Sequence, residues 1–136
     1  MSGITESSDQ IAARILVMDD EHHVRDILRK VLEKFGYEVD LTSDGHEAVS
    51  QYKSCLENST PVSRSILDLS IPGGMGGKEA SEQILDIDPE AKIIISTGNP
   101  SDPRLQNYRD SGIRDILAKP FRLDNLKTKV QEILSE

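Results

Sequence analysis

One cysteine, Cys55, stands in 136 residues. No intrachain disulfide can form, and a cysteine-rich metal site is excluded. No apolar run approaches the ~20 residues a membrane-spanning helix needs. The N-terminus lacks both the basic start and the apolar stretch of a secretion signal. The chain is therefore expected to be cytoplasmic, with no membrane contact of its own. Basic charge is also scarce: 16 Lys and Arg face 24 Asp and Glu, for a net charge of −8. Phosphate contacts need clustered Lys and Arg, so a nucleic-acid partner is not expected. The acidic balance suits a cation site built from carboxylates, although solubilising charge accounts for most of it.

The length fits one domain with a real core. Hydrophobic residues make up 36% and charged residues 29%, as in globular chains. Residues 1–13, rich in Ser, Gly and acid, read as a flexible tail, and residues 14–136 as the folded domain. Five short apolar or alternating runs read as strands: residues 14–18, 37–41, 62–67, 92–96 and 113–118. Between them lie helical patterns. Val24, Ile27, Leu28, Val31, Leu32 and Phe35 share one face, and Gly36 stops that helix. Ala48, Val49, Tyr52, Cys55 and Leu56 share another, after a turn that can cap a helix. Residues 78–87 turn Ala80, Ile84 and Ile87 inward. Residues 102–110 form a weak helix with only Leu105 and Tyr108 as anchors. A last helix carries Leu123, Leu126, Val130, Ile133 and Leu134. Ser63, Arg64 and Ser65 are too polar for a buried central strand, so that part is expected near the surface. Strands alternating with crossover helices imply a parallel sheet covered on both faces. The fold class expected is α/β: a doubly wound (βα)5, flavodoxin-like parallel sheet with strand order 2-1-3-4-5.

The most informative stretch is residues 65–77. An apolar run ends in Asp68, and Pro72 with four glycines then breaks regular structure. Asp19 and Asp20 follow the first strand, Thr97 and Gly98 the fourth, and Lys119 the fifth. In a doubly wound sheet these carboxyl ends converge on one rim, and strands one and three meet at the switch point. Three carboxylates, a hydroxyl and an ammonium then share one pocket. Close carboxylates repel, and a hard divalent ion such as Mg²⁺, which favours oxygen ligands and phosphate, relieves that repulsion. One carboxylate can act as nucleophile and form an acyl phosphate. Thr97, Lys119 and the backbone N–H groups of Leu69 and Gly98 can meet the phosphoryl oxygens.

The acidic pair, the Leu-Asp-Leu around Asp68 with its Pro-Gly-Gly-Met-Gly-Gly loop, Ser96-Thr97-Gly98, and Lys119-Pro120-Phe121 together resemble response-regulator receiver domains. The loop most resembles receivers of hybrid sensor histidine kinases. The resemblance implies that Asp68 is the phosphoacceptor and that Asp19, Asp20, Asp68 and the backbone carbonyl of Ser70 bind Mg²⁺. It implies a histidine kinase or histidine phosphotransfer protein as partner, and a cis Lys119–Pro120 peptide. Many receivers carry an aromatic switch three residues before the lysine; here that residue is Ile116. Output, including possible self-association, is therefore expected through repositioning on the face of strands four and five.

His22 and His23 read as first-turn helix residues, since Mg²⁺ prefers oxygen. Cys55 reads as a helix-face filler. Gly77-Lys78-Glu79 does not make a Walker loop. Three alternatives stay open: a non-phosphorylated pseudo-receiver that serves only as an interaction module, an Asp-nucleophile phosphatase, and a flavodoxin-like electron carrier. The phosphatase family needs a second Asp two residues after the first, where this chain has Ser70. The electron carrier needs a Ser/Thr-Gly phosphate loop after strand one, where this chain has acids.

Overall fold

A computed structural model describes residues 13–135. The tail expectation for residues 1–12 lies outside the described residues, as does the expectation that the Leu123 side chain turns inward. Five strands form one parallel sheet: β1 Arg14–Met18, β2 Glu38–Thr42, β3 Val62–Asp68, β4 Ile93–Thr97 and β5 Ile113–Ala118. Their order is β2-β1-β3-β4-β5, as the alternation predicts. Among the described residues four α-helices pack on it: α1 His22–Lys34, α2 Gly45–Glu57, α3 Gly77–Ile87 and α4 Leu123–Leu134.

The two-residue period of the strands divides the core. Ile15, Val17, Ile66, Ile94 and Leu117 face α1 and α4, where Leu28, Val31, Leu126 and Val130 meet them. Leu16, Met18, Leu67, Ile93 and Ile95 face the other side, against Tyr52, Ala80, Ile84 and Leu105. Burying one such aliphatic side chain stabilises by about 1.5–3 kcal/mol. Asp44 caps α2 by accepting the Glu47 N–H at 2.9 Å, and Glu47 reaches back to the Ser43 N–H at 2.7 Å. Tyr52 donates to Asp88 at 2.6 Å and so ties α2 to the end of α3.

Four expectations need correction. Residues 102–110 are not an α-helix but two short 3-10 turns, Pro103–Leu105 and Tyr108–Ser111. Gln106 is extended and Asn107 is left-handed at φ 57°, so the i→i+4 ladder cannot pass between them. Leu105 alone of the two anchors is fully buried. Ser65 lies at 0% exposure rather than near the surface, because β3 sits at the sheet centre between β1 and β4. Only Ser63 and Arg64 are partly exposed, at a register shift between β1 and β3. Phe35 and Leu56 are exposed rather than inward. Phe35 is the C-cap of α1, beyond its last turn. Leu56 falls beside the stripe of Ala48, Tyr52 and Cys55 that meets the sheet.

Candidate functional site

The register places the site. Met18 pairs with Leu67, so Asp19 and Asp68 emerge side by side at the carboxyl rim. Asp68 pairs with Ser96, and Thr97 with Ala118, which brings Thr97 and Lys119 to the same rim. The peptide between Lys119 and Pro120 is cis.

Carboxylate oxygens of Asp19, Asp20 and Asp68 all lie within 4.8 Å of one another. Asp19 and Asp68 are buried and Asp20 is exposed, so the cluster has two closed walls and an open one. Lys119 Nζ donates to Asp19 Oδ2 at 2.8 Å and to Asp68 Oδ2 at 3.3 Å. The Glu21 N–H donates to Asp19 Oδ1 at 2.9 Å, and Arg25 Nη1 holds the Asp19 carbonyl at 2.8 Å. Burial pushes Asp68 up from 3.8 to about 6, and the charge of Asp19 adds to it, while Lys119 pulls the other way. For Lys119, burial opposes the charge, but the Asp19 hydrogen bond and the two carboxylate charges outweigh it and raise the ammonium.

Thr97 is buried, and its Oγ1 accepts the Asn99 N–H at 3.0 Å, which leaves its own proton free to donate. Gly98 is exposed on the cavity wall formed with Lys119 and Pro120. Leu69 is held by the sheet. Its N–H continues the sheet ladder to Ser96 O at 2.9 Å and is not turned to the Asp68 carboxylate. The N–H beside that carboxylate belongs to Ser70, 3.4 Å from Asp68 Oδ1. His22 and His23 are exposed and stand outside the acid cluster. Sequence reasoning missed Arg25 and Arg104. Both act on partners that only the fold reveals, the Asp19 carbonyl and the Ser70 hydroxyl.

The glycine loop has a packing cause. A Cβ at Gly77 would stand 2.7 Å from the Asp68 carbonyl oxygen, and one at Gly76 would overlap the Leu69 carbonyl. The start of α3 therefore lies against the backbone that carries Asp68.

Residues 15–131 match the response regulator receiver domain family. This chain belongs to that family. Chemotaxis protein CheY of Thermotoga maritima is 32% identical to this receiver over 110 residues, covering 80% of this chain and 87% of that one. Response regulator MprA of Mycolicibacterium vanbaalenii is 32% identical over 89% of this chain and 50% of its own length. Transcription factor SKN7 of Candida albicans is 33% identical over 82% of this chain and 19% of its own length. The receiver thus spans most of one relative and half or less of the other two. Among solved structures, a CheY-like receiver from Methanospirillum hungatei superposes with a TM-score of 0.77 at 26% identity, covering 91% of this chain and 94% of that one. Response regulator TrrA of Thermotoga maritima, in complex with Mg²⁺ and beryllium fluoride, gives 0.69 at 32% identity over 89% and 98%.

Receivers are signalling domains of two-component systems rather than conventional enzymes, and they bind Mg²⁺ at an acidic pocket. The oxygen-only donor set and the mutual repulsion of three carboxylates fit that ion. Neither the phosphatase nor the electron-carrier reading draws support from the family match. Among the described residues no helix is long and apolar enough to cross a membrane.

Proposed function

We propose that this receiver is a phosphorylation-controlled switch that accepts one phosphoryl group on Asp68 from a histidine kinase or histidine phosphotransfer protein. The observation that carries the reading is the Lys119 ammonium set between Asp19 and Asp68, with Asp20 in the same cluster. Asp19, Asp20, Asp68 and the Ser70 carbonyl are the residues assigned to Mg²⁺. When bound, the ion would neutralise the carboxylates and the incoming phosphoryl charge.

Asp68, raised only to about 6, is mostly ionised at neutral pH and can act as nucleophile. Its carboxylate oxygen bonds to phosphorus, while the bond to the donor's nitrogen or oxygen breaks and the electron pair leaves with the donor. Lys119 then moves from a carboxylate neighbour to a phosphoryl one. Thr97 donates its hydroxyl proton, and the Ser70 N–H, rather than that of Leu69, meets a second oxygen. Drawing Thr97 inward pulls on Asn99, whose N–H it holds, and so on the turns at Pro103–Leu105 and Tyr108–Ser111. Short turns with few buried anchors move at low cost. We assign output, and any self-association, to that face of β4 and β5, with no aromatic rotation at Ile116. The Pro72-to-Gly77 loop supports kinship with receivers of hybrid kinases.

Intact mass after incubation with acetyl phosphate tests the reading. The expected result is a gain of one phosphoryl group that requires Mg²⁺ and is lost on chelation beforehand. No gain with Mg²⁺ present would refute it and favour a pure interaction module.

A further inference from the structure

The loop after Asp68 is tied to the β4–β5 connection by a side chain the switch mechanism leaves unused. Ser70 stands two residues past Asp68, and its hydroxyl oxygen accepts from Arg104 Nη2 at 3.0 Å. Arg104 is itself fixed. Asp102 Oδ1 accepts its Nε at 3.0 Å and its backbone N–H at 2.9 Å, and Asp102 Oδ2 accepts Nη2 at 2.8 Å. The Asp102 N–H donates to the Asn99 carbonyl at 3.0 Å, and the Asn99 N–H donates to Thr97 Oγ1 at 3.0 Å. With the Ser70 N–H 3.4 Å from Asp68 Oδ1, a hydrogen-bonded circuit runs from Thr97 through Asn99, Asp102, Arg104 and Ser70 to Asp68. It straps together the two loops that flank the acceptor. The fork between Arg104 and Asp102 is bidentate, which gives the strap a defined geometry. The buried Leu105 anchors the turn that carries it.

We propose that Arg104 is a positioning residue that holds Ser70 beside Asp68 and thereby lengthens the life of a phosphoryl group there. This rests on the phosphoacceptor reading above. Loss of the group is hydrolysis: a water oxygen bonds to phosphorus, and the phosphorus–oxygen bond to Asp68 breaks. That electron pair stays on the Asp68 carboxylate, and both water protons leave with the phosphate. A serine hydroxyl has one proton to donate and two lone pairs to accept with. Arg104 occupies one lone pair, fixes the rotor and ties the Ser70 loop to the turn at Pro103–Leu105, so the two loops beside Asp68 stay closed to an approaching water. Without Arg104 the hydroxyl turns freely and the lip of the site opens.

The experiment uses the full chain, phosphorylated with acetyl phosphate and Mg²⁺, with the donor then removed and phosphoryl loss followed by mass. Arg104→Ala and Arg104→Gln should each lose the group about fivefold faster, the scale on which an exposed charged hydrogen bond changes a rate. Arg104→Lys should fall between them and wild type. In a Ser70→Ala background the Arg104 substitutions should have no further effect, because the two residues act as one unit. Without metal or phosphoryl donor, Arg104→Gln should shift the Ser70 amide resonance while the melting temperature stays near that of wild type. Unchanged or slower loss in the Arg104 variants overturns the proposal. An equal acceleration with Ser70→Ala also overturns it, since Arg104 would then act by another route. A wild-type chain that gains no phosphoryl group at all overturns the function reading and this inference with it.

Discussion

Replacing Asp68 with Asn should stabilise the metal-free receiver while abolishing its phosphorylation. Asp68 ionises in the folded chain near 6 against an ordinary value of 3.8, because it is buried beside Asp19. Between those values the folded state binds more protons at this site than the unfolded state does. Stability therefore falls as pH rises through roughly 4 to 6, and the full penalty stands above that window. The gap corresponds to about 3 kcal/mol, an upper figure because neighbouring charges relax. Asn keeps the shape and carries no charge, so Asp68→Asn should gain about 1–3 kcal/mol at pH 8, or several degrees in melting temperature. The gain should fade below about pH 4, where both states of the wild type are protonated at this position. Mg²⁺ should raise the wild-type midpoint more than that of the variant and narrow the difference. Thermal melts at pH 8 and pH 4, with chelator and with Mg²⁺, make the comparison. A variant that is less stable than wild type at pH 8, or equally favoured at both pH values, would refute the electrostatic account.

Asp20→Ala should weaken Mg²⁺ binding roughly tenfold or more, since one of three charged oxygen donors is lost. Calorimetric titration checks this, and unchanged affinity would remove Asp20 from the ligand set. Gly77→Ala should cost about 1–3 kcal/mol in chemical denaturation, because its Cβ would press on the Asp68 carbonyl and on Ile95. A neutral result would mean that α3 does not lean on the acceptor strand. Ser65→Ala should be neutral or stabilising by about 1 kcal/mol, since Ser65 Oγ is buried with no hydrogen-bond partner among the described residues. A clear loss of stability would place a partner on that hydroxyl.

The sheet order and the rim were legible because each strand is a short apolar or alternating run, and a named polar group ends or directly follows β1, β3, β4 and β5. That pattern needs no tertiary information beyond right-handed crossovers. The segment after Thr97 was misread because Leu105 and Tyr108 stand at helical spacing, whereas the left-handed Asn107 between them is a backbone choice that spacing does not encode. Ser65 was misplaced for a related reason. A polar residue type suggests exposure, but a serine is small enough to fill a central strand position at the cost of an idle hydroxyl. The hydrogen bond made by Leu69 was not legible either. Residue order puts its N–H next to the acceptor, yet the ladder runs one residue past the end of β3 and claims it for Ser96. Arg104 was invisible because its partner, Ser70, lies 34 residues earlier in the chain.

The account stands on Asp68 as the acceptor. Borohydride reduction of the acetyl-phosphate-treated protein cleaves an acyl phosphate and converts the modified aspartate to homoserine, which peptide sequencing by mass spectrometry locates. The result predicted is homoserine at position 68 alone, formed only when Mg²⁺ was present. Homoserine at position 19 or 20, or an unmodified residue 68 in a chain that has gained a phosphoryl group, would contradict it.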